Sequence, residues 1–173
     1  AAAEKLGLSC PRTYLYEDEG DASAIAAEEG FPLVIKPRFT SGSRGMAIVD
    51  NLADLLSHLS FAQDGRLKPM IQEYIPGGEK ESLQFVVDGE GNMCFAFHKK
   101  RIRHFRINAR FGAVSESAPL PPYCEQVAQL VKALEWSGGG GVEVLVDPRD
   151  GSFKLMEFNG RFARQLWNRT EMG

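Results

Sequence analysis

Two glutamates near the C-terminal end, Glu143 and Glu157, each interrupt an apolar run, VEVLVD (142–147) and SFKLMEF (152–158). The runs are separated by a turn signal around Arg149-Asp150-Gly151 and read as a β-hairpin. A four-residue loop (148–151) would put the two glutamates on opposite faces. A three-residue loop with a left-handed Gly151 pairs 147 with 153, and therefore 143 with 157. The carboxylates would then be directly opposed, with Cβ atoms roughly 5 Å apart. Like charges so placed destabilise a sheet unless something positive lies between them, and a divalent cation with oxygen ligands is the natural occupant. Asn159 and Arg161 continue the period of two. The run Glu157-Phe158-Asn159-Gly160-Arg161 thus offers a carboxylate, an amide and a guanidinium to one side; the competing reading is a solvated strand face.

Three other places could do chemistry. Lys36 ends the run FPLVIKP (31–37), just before a loop in which Ser41, Gly42, Ser43 and Gly45 can present hydroxyls and backbone N–H groups to an anion. It is not a Walker A loop, because the lysine precedes the glycines. Taken alone, such a loop is more often only a turn. Gln72, Glu73, Tyr74 and Ile75 end a strand before Pro76-Gly77-Gly78; that edge can offer backbone groups and an apolar face to a planar base, with Glu79 and Glu81 placed to accept from ribose hydroxyls. The alternative is a strand end followed by a solvated acidic turn. The stretch 98–110 gathers Lys99, Lys100, Arg101, Arg103, Arg106 and Arg110. Arg101 and Arg103 alternate along a strand face, which suits a triphosphate or an anionic substrate. His98 and His104 have no Cys or His partner at metal spacing and read as surface or core residues.

These groups need strands and tight turns to hold them. The helices expected are 21–29, with Asp21 as N-cap and Gly30 as stop; LADLLSHL (52–59), capped by Asn51; and 122–136, with Val127, Leu130, Val131 and Leu134 at helical spacing. Strands are expected at 31–37, 46–49 and 70–75, as a hairpin 81–88/92–100 around Gly89-Glu90-Gly91, and at 142–147 and 152–158. Residues 101–118 fit no element, and Gly138 to Gly141 read as a loop. The order is α+β with mostly antiparallel hairpins, without the βαβ regularity of a doubly wound sheet.

Composition narrows the class. The chain has 173 residues, 43% of them hydrophobic, with 20 Lys+Arg against 23 Asp+Glu and a net charge of −3. That is enough apolar mass for a core and argues against a generally basic nucleic-acid binder. Three scattered cysteines (Cys10, Cys94, Cys124) fit neither a disulfide framework nor a zinc cluster. No apolar run reaches the roughly 18–20 residues of a membrane span. A cytoplasmic location is expected, with no nucleic acid and no membrane as partner. Glycine is in excess, 18 of 173, and concentrates between strand-like runs. Both ends look cut, as in a segment of a longer chain.

The order of these signals is more specific than any one of them. Val34-Ile35-Lys36-Pro37, a Ser/Gly loop, Gln72-Glu73-Tyr74-Ile75-Pro76-Gly77, Gly141-Val142-Glu143 and Met156-Glu157-Phe158-Asn159-Gly160-Arg161-Phe162 together resemble the ATP-grasp superfamily, nearest its carbamoyl-phosphate-synthase-like and biotin-carboxylase-like members. The resemblance implies an ATP-grasp fold: two small α+β subdomains, 1–74 and 75–173, with mostly antiparallel sheets clasping a nucleotide. It implies ATP and magnesium as cofactors, with manganese as an alternative cation. Lys36 would contact the phosphates, Ser41, Gly42, Ser43 and Gly45 would form a lid, and Glu73, Tyr74 and Ile75 would meet adenine. Glu79 or Glu81 would hold ribose; Glu143, Glu157 and Asn159 would bind the metal; Arg161 would stabilise the transferred phosphoryl. The implied reaction is ATP-dependent ligation of a small carboxylate to an amine or thiol through an acyl phosphate. The relatives' amino-terminal domain is absent from this sequence, and Gly160 stands where many relatives have Pro or Thr. The remaining domains of a parent chain would therefore be partners. A non-catalytic nucleotide-binding module and an anion- or RNA-binding α+β domain are the alternatives.

Overall fold

The computed structural model describes residues 2–38, 45–61, 68–77, 79–104 and 112–162. The chain divides into two compact units, Pro11–Ile75 and Ala1–Cys10 together with Pro76–Gly173.

The first unit is a four-stranded antiparallel sheet in the order β1-β4-β2-β3, formed by β1 (Thr13–Tyr14), β2 (Leu33–Lys36), β3 (Ala47–Val49) and β4 (Met70–Glu73). Two helices, α2 (Glu19–Glu29) and α3 (Leu52–Phe61), contribute to its core. Leu33, Ile35, Val49 and Ile71 from the sheet bury with Ala22, Ala26, Leu55 and Leu59 from the helices. α2 begins earlier than expected: Asp18, not Asp21, is the N-cap, and its Oδ1 accepts from the Asp21 N–H. Asn51 caps α3 as expected, its Oδ1 accepting from Asp54 N–H at 2.9 Å.

The second unit is a five-stranded antiparallel sheet, β7-β6-β5-β8-β9. Its strands are β5 (Glu79–Val87), β6 (Met93–His104), β7 (Gly112–Ala118), β8 (Gly138–Val146) and β9 (Phe153–Asn159). The short α1 (Ala2–Lys5) and α4 (Cys124–Ala133) belong to it. Its core takes the odd-numbered residues of β5, namely Leu83, Phe85 and Val87, and the even-numbered Val142 and Val144 of β8. Val127, Leu130 and Val131 of α4 close over them, with Ala3 and Leu8.

Three expectations change. Residues 1–10 pack into the second unit, because Ala3 and Leu8 lie in its core and Ser9 bridges to Lys154; the division falls after Ile75, not after residue 74. The basic stretch that fitted no element is strand as far as His104, paired with β7. The glycine run is strand too: β8 starts at Gly138, and Gly138 to Gly141 pair with Val87 to Gln84. These glycines admit neighbours lying flat on the strand. A Cβ on Gly140 would come within 2.6 Å of the Phe85 ring, and one on Gly141 within 2.4 Å of the Gln84 amide. Among the described residues no helix is long and apolar enough to cross a membrane.

Candidate functional site

Because strand side chains alternate, the face of the five-stranded sheet opposite the α4-covered core is set by parity. β5 sends Lys80, Ser82 and Gln84 to it. In register, Ser82 lies between Lys99 of β6 and Glu143 of β8, and Glu143 lies opposite Glu157 of β9. One row across the sheet therefore reads Lys99, Ser82, Glu143, Glu157. The next row reads Phe97, Gln84, Gly141, Asn159.

The two carboxylates are opposed, but not by the expected turn. Val146 pairs with Phe153, and Asp147 N–H donates to Ser152 carbonyl at 2.8 Å, so the loop has four residues, 148–151. Gly151 is left-handed (φ 72°) within it. A four-residue loop alone would set Met156 against Glu143. A β-bulge between Glu143 and Val144 makes Val144 face Leu155 and Glu143 face Glu157, with Met156 as the extra residue. The loop is braced by Asp147, whose carboxylate accepts from the Arg149 backbone N–H and Nε at 3.0 and 2.9 Å. The Arg149 guanidinium holds the Asp147 carboxyl down at about 2.

Around the carboxylates the field is mixed. Burial, and then the Arg101 guanidinium, hold the Lys80 ammonium below its ordinary value, while Glu143 and Glu157 pull it back up. Those four charges therefore share one neighbourhood. Asn159 is on the face of Glu157 at the end of β9; Arg161 is exposed beyond the strand, so the pleat no longer sets its direction. The donor set fits magnesium. It consists of two carboxylates and an amide on one face, all hard oxygens; among the described residues no group of three or more His, Cys, Asp or Glu is placed to hold a metal ion. A magnesium site of this kind leaves its remaining positions to water and phosphate oxygens.

Of the two expected ribose acceptors, Glu81 is engaged by other side chains. Glu81 lies on the helix-covered face and is buried; its Oε2 is 3.0 Å from His98 Nε2 and accepts from Tyr123 Oη at 3.3 Å, and Lys100 Nζ is 3.2 Å from Oε1. His98 Nδ1 lies 2.6 Å from the Pro119 carbonyl. Burial, then the Glu81 charge, push the Tyr123 hydroxyl well above its usual range. Glu81 is thus satisfied by partners on the helix-covered face, while Glu79 is exposed at the start of β5. Of the surface and core roles open to His98, which has no metal spacing in the sequence, the structure shows the buried one.

In the four-stranded unit Lys36 ends β2 opposite Met70 and is half-buried. Gly45 is left-handed (φ 74°) in the turn before β3; Ser41, Gly42 and Ser43 lie outside the described residues. Gln72 and Glu73 are buried in this unit. Gln72 Nε2 donates to Thr13 Oγ1 at 2.8 Å, and the Glu73 carboxylate accepts from Arg12 N–H at 3.1 Å. The Glu73 N–H itself donates to the Arg12 carbonyl, which takes that group from a base. Arg12 also grips Glu29 at 2.8 Å. Tyr74, half-buried, and Ile75, buried, follow the end of β4. Arg101 shares the polar face; Arg103 lies in β6, and Arg106 and Arg110 are outside the described residues.

Sequence reasoning missed Ser82, Gln84 and Lys80 on the polar face, and named Lys99 only as part of the basic stretch. The parity of β5 and β6 about the buried Leu83 and Phe85 carried that signal.

Comparison with known proteins follows the same lines. Residues 1–166 match the model of the carbamoyl-phosphate synthase L chain ATP-binding domain. The carbamoyl phosphate synthase large chain of Neisseria meningitidis is 24% identical over 94% of this chain, which spans 16% of that protein. The D-alanine–D-alanine ligase of Pseudomonas fluorescens is 27% identical over 89% of this chain and is covered to 49%. Among solved structures, the biotin carboxylase domain of the Hydrogenobacter thermophilus 2-oxoglutarate carboxylase superposes with a TM-score of 0.78 at 22% identity; 95% of this chain and 39% of that one are covered. It was solved with magnesium-ADP, ADP and bicarbonate.

Proposed function

The chain belongs to the family of the carbamoyl-phosphate synthase L chain ATP-binding domain, an ATP-grasp fold, and from that premise we propose that it is the nucleotide-binding core of an enzyme joining a small carboxylate to an amine or thiol through an acyl phosphate. The observation that carries the reading is the register that sets Glu143 against Glu157 with Asn159 beside them, since opposed carboxylates at a strand pair are a cost to the fold unless a cation uses them.

In this reading Glu143, Glu157 and Asn159 hold magnesium, or manganese in its place. The metal, once bound, neutralises phosphate charge. Lys36 supplies a point charge to the phosphates, and the Ser41, Gly42, Ser43 and Gly45 segment supplies N–H groups and hydroxyls to them. Tyr74 and Ile75 present backbone and apolar surface to adenine, and Glu79 accepts from ribose. Arg161 offsets the charge on the transferred phosphoryl group. No side chain need act as nucleophile; the work is positioning and charge stabilisation.

The test uses the full-length protein from which this chain comes, in a coupled ADP-release assay with magnesium-ATP. Release should appear only when a carboxylate acceptor from a panel of amino acids and small acids is added. Substrate-independent hydrolysis, or binding without any release, would reduce the reading to a nucleotide-binding module.

A further inference from the structure

The hydroxyl of Ser82 is a buried polar group without a partner. The residue is 7% exposed, and among the described residues its Oγ has no hydrogen-bond partner. Buried hydroxyls are ordinarily satisfied, and each exception calls for an explanation. Other orphaned atoms do not share its setting: Trp136 Nε1 lies against Gly140, among the core aromatics. Ser82 alternates with the core residue Leu83, so it projects to the polar face, at the seam between that face's two charged halves.

On one side of the seam lie the carboxylates of Glu143 and Glu157. On the other lie Lys99, directly across from Ser82 on β6, and Arg101, two residues further along. Lys80, two residues before Ser82 on β5, feels the charges of Arg101, Glu143 and Glu157 together. From Lys99 to Glu157 is three strand spacings, about 14 Å. The acidic half suits a cation. The cationic half suits an anion, and a short hydroxyl between them can donate to an anion's oxygen that the longer side chains bracket.

We infer that Ser82, with Lys99, Lys80 and Arg101, forms an oxyanion subsite on the cationic half of the sheet, for a phosphate or carboxylate group. The subsite deepens the proposed function, on which its place in a reaction rests, although oxyanion binding itself does not require that reading. The oxyanion comes either from the end of the nucleotide's phosphate chain or from the acceptor. A hydroxyl suits both, because its proton donates to any anionic oxygen.

The experiment compares the full-length wild-type protein with Ser82→Ala, Ser82→Thr and Lys99→Met by calorimetric titration, after circular dichroism has shown native melting. The probes are magnesium-ATP, magnesium-ADP, orthophosphate added to the magnesium-ADP-loaded protein, and pyrophosphate with no nucleotide or metal. Ser82→Ala should weaken oxyanion binding about tenfold, the scale of one charge-assisted hydrogen bond. Lys99→Met should weaken it at least as much, and Ser82→Thr should restore it. Weakened ATP with unchanged ADP assigns the subsite to the nucleotide's last phosphate. Weakened orthophosphate with both nucleotides unchanged assigns it to the acceptor. Variants that bind every probe like the wild type overturn the subsite. A wild type that binds no magnesium nucleotide overturns the proposed function instead, and the pyrophosphate titration still decides the subsite: binding lost in Ser82→Ala supports it, and no binding or equal binding refutes it.

Discussion

Replacing Glu157 by Gln should have opposite effects on the protein alone and on its complex with magnesium nucleotide. In the free protein Glu157 faces Glu143 across one strand pair. At a separation near 5 Å in a water-like dielectric the repulsion is about 0.8 kcal/mol. The high dielectric is appropriate because Glu157 is exposed. Lys80 and Arg101 offset part of the repulsion, so the net relief is about 0.5 kcal/mol. At roughly 2–4 °C per kcal/mol for a chain of this size, the free protein's Tm should rise by about 1–2 °C. With ligand the sign reverses. A ligand at a hundred times its Kd stabilises by about 2.7 kcal/mol, and a tenfold loss of affinity removes about 1.3 of that. Differential scanning calorimetry with and without magnesium-ATP, in low salt, reads both effects. A Glu157→Gln protein that melts lower when free, with an unchanged nucleotide response, would refute the reasoning and make the pair an ordinary part of the sheet.

Three further outcomes follow from the packing and the charges. Glu81→Ala leaves His98, Lys100 and Tyr123 without their buried partner, so urea unfolding should show a loss of about 3 kcal/mol or more, while the nucleotide-induced rise in Tm is kept; normal stability with a lost nucleotide response would return Glu81 to the ribose. Gly140→Ala forces a Cβ against the Phe85 ring and should cost about 1–3 kcal/mol in the same assay, whereas Gly141→Ala meets only the movable end of Gln84 and should cost less; equal costs would contradict the packing. Asp147 titrates lower folded than unfolded, so its stabilisation is present above about pH 4 and fades as the pH falls toward 2. The stability gap between wild type and Arg149→Met, from urea midpoints, should therefore shrink over that range, and a gap constant with pH would count against the brace.

Much of the candidate site was legible in the sequence, and the remainder was hidden by parity. The pairing of Glu143 with Glu157 was read correctly from a wrong count: the loop has four residues, and the bulge at Met156 restores the facing that a three-residue loop would have given. A bulge leaves no periodic mark in one strand, because Leu155, Met156 and Phe158 are all apolar. Gly138 to Gly141 read as a loop because glycine is poor in strands; what overrides that is the need to lay Gln84 and Phe85 on the strand surface, which one sequence does not display. Glu79 and Glu81 looked equivalent as ribose acceptors, yet burial of Leu83 and Phe85 sends Glu81 into the covered face. The same parity puts Lys80 and Ser82 on the face that carries Glu143 and Glu157. The helices were clearer, since Val127, Leu130 and Val131 carry a 3.6-residue period and Asn51 an explicit cap.

The central claim is that the opposed carboxylates serve a metal-bound nucleotide. Its most direct test is calorimetric titration of the full-length protein with ADP, once with excess magnesium and once with a chelator, alongside a Glu143→Gln, Glu157→Gln double variant. The expected result is one site per chain whose affinity falls at least tenfold when magnesium is removed, with no such dependence left in the double variant. Equal affinity with and without magnesium in the wild type, or an undiminished magnesium effect in the double variant, would contradict it.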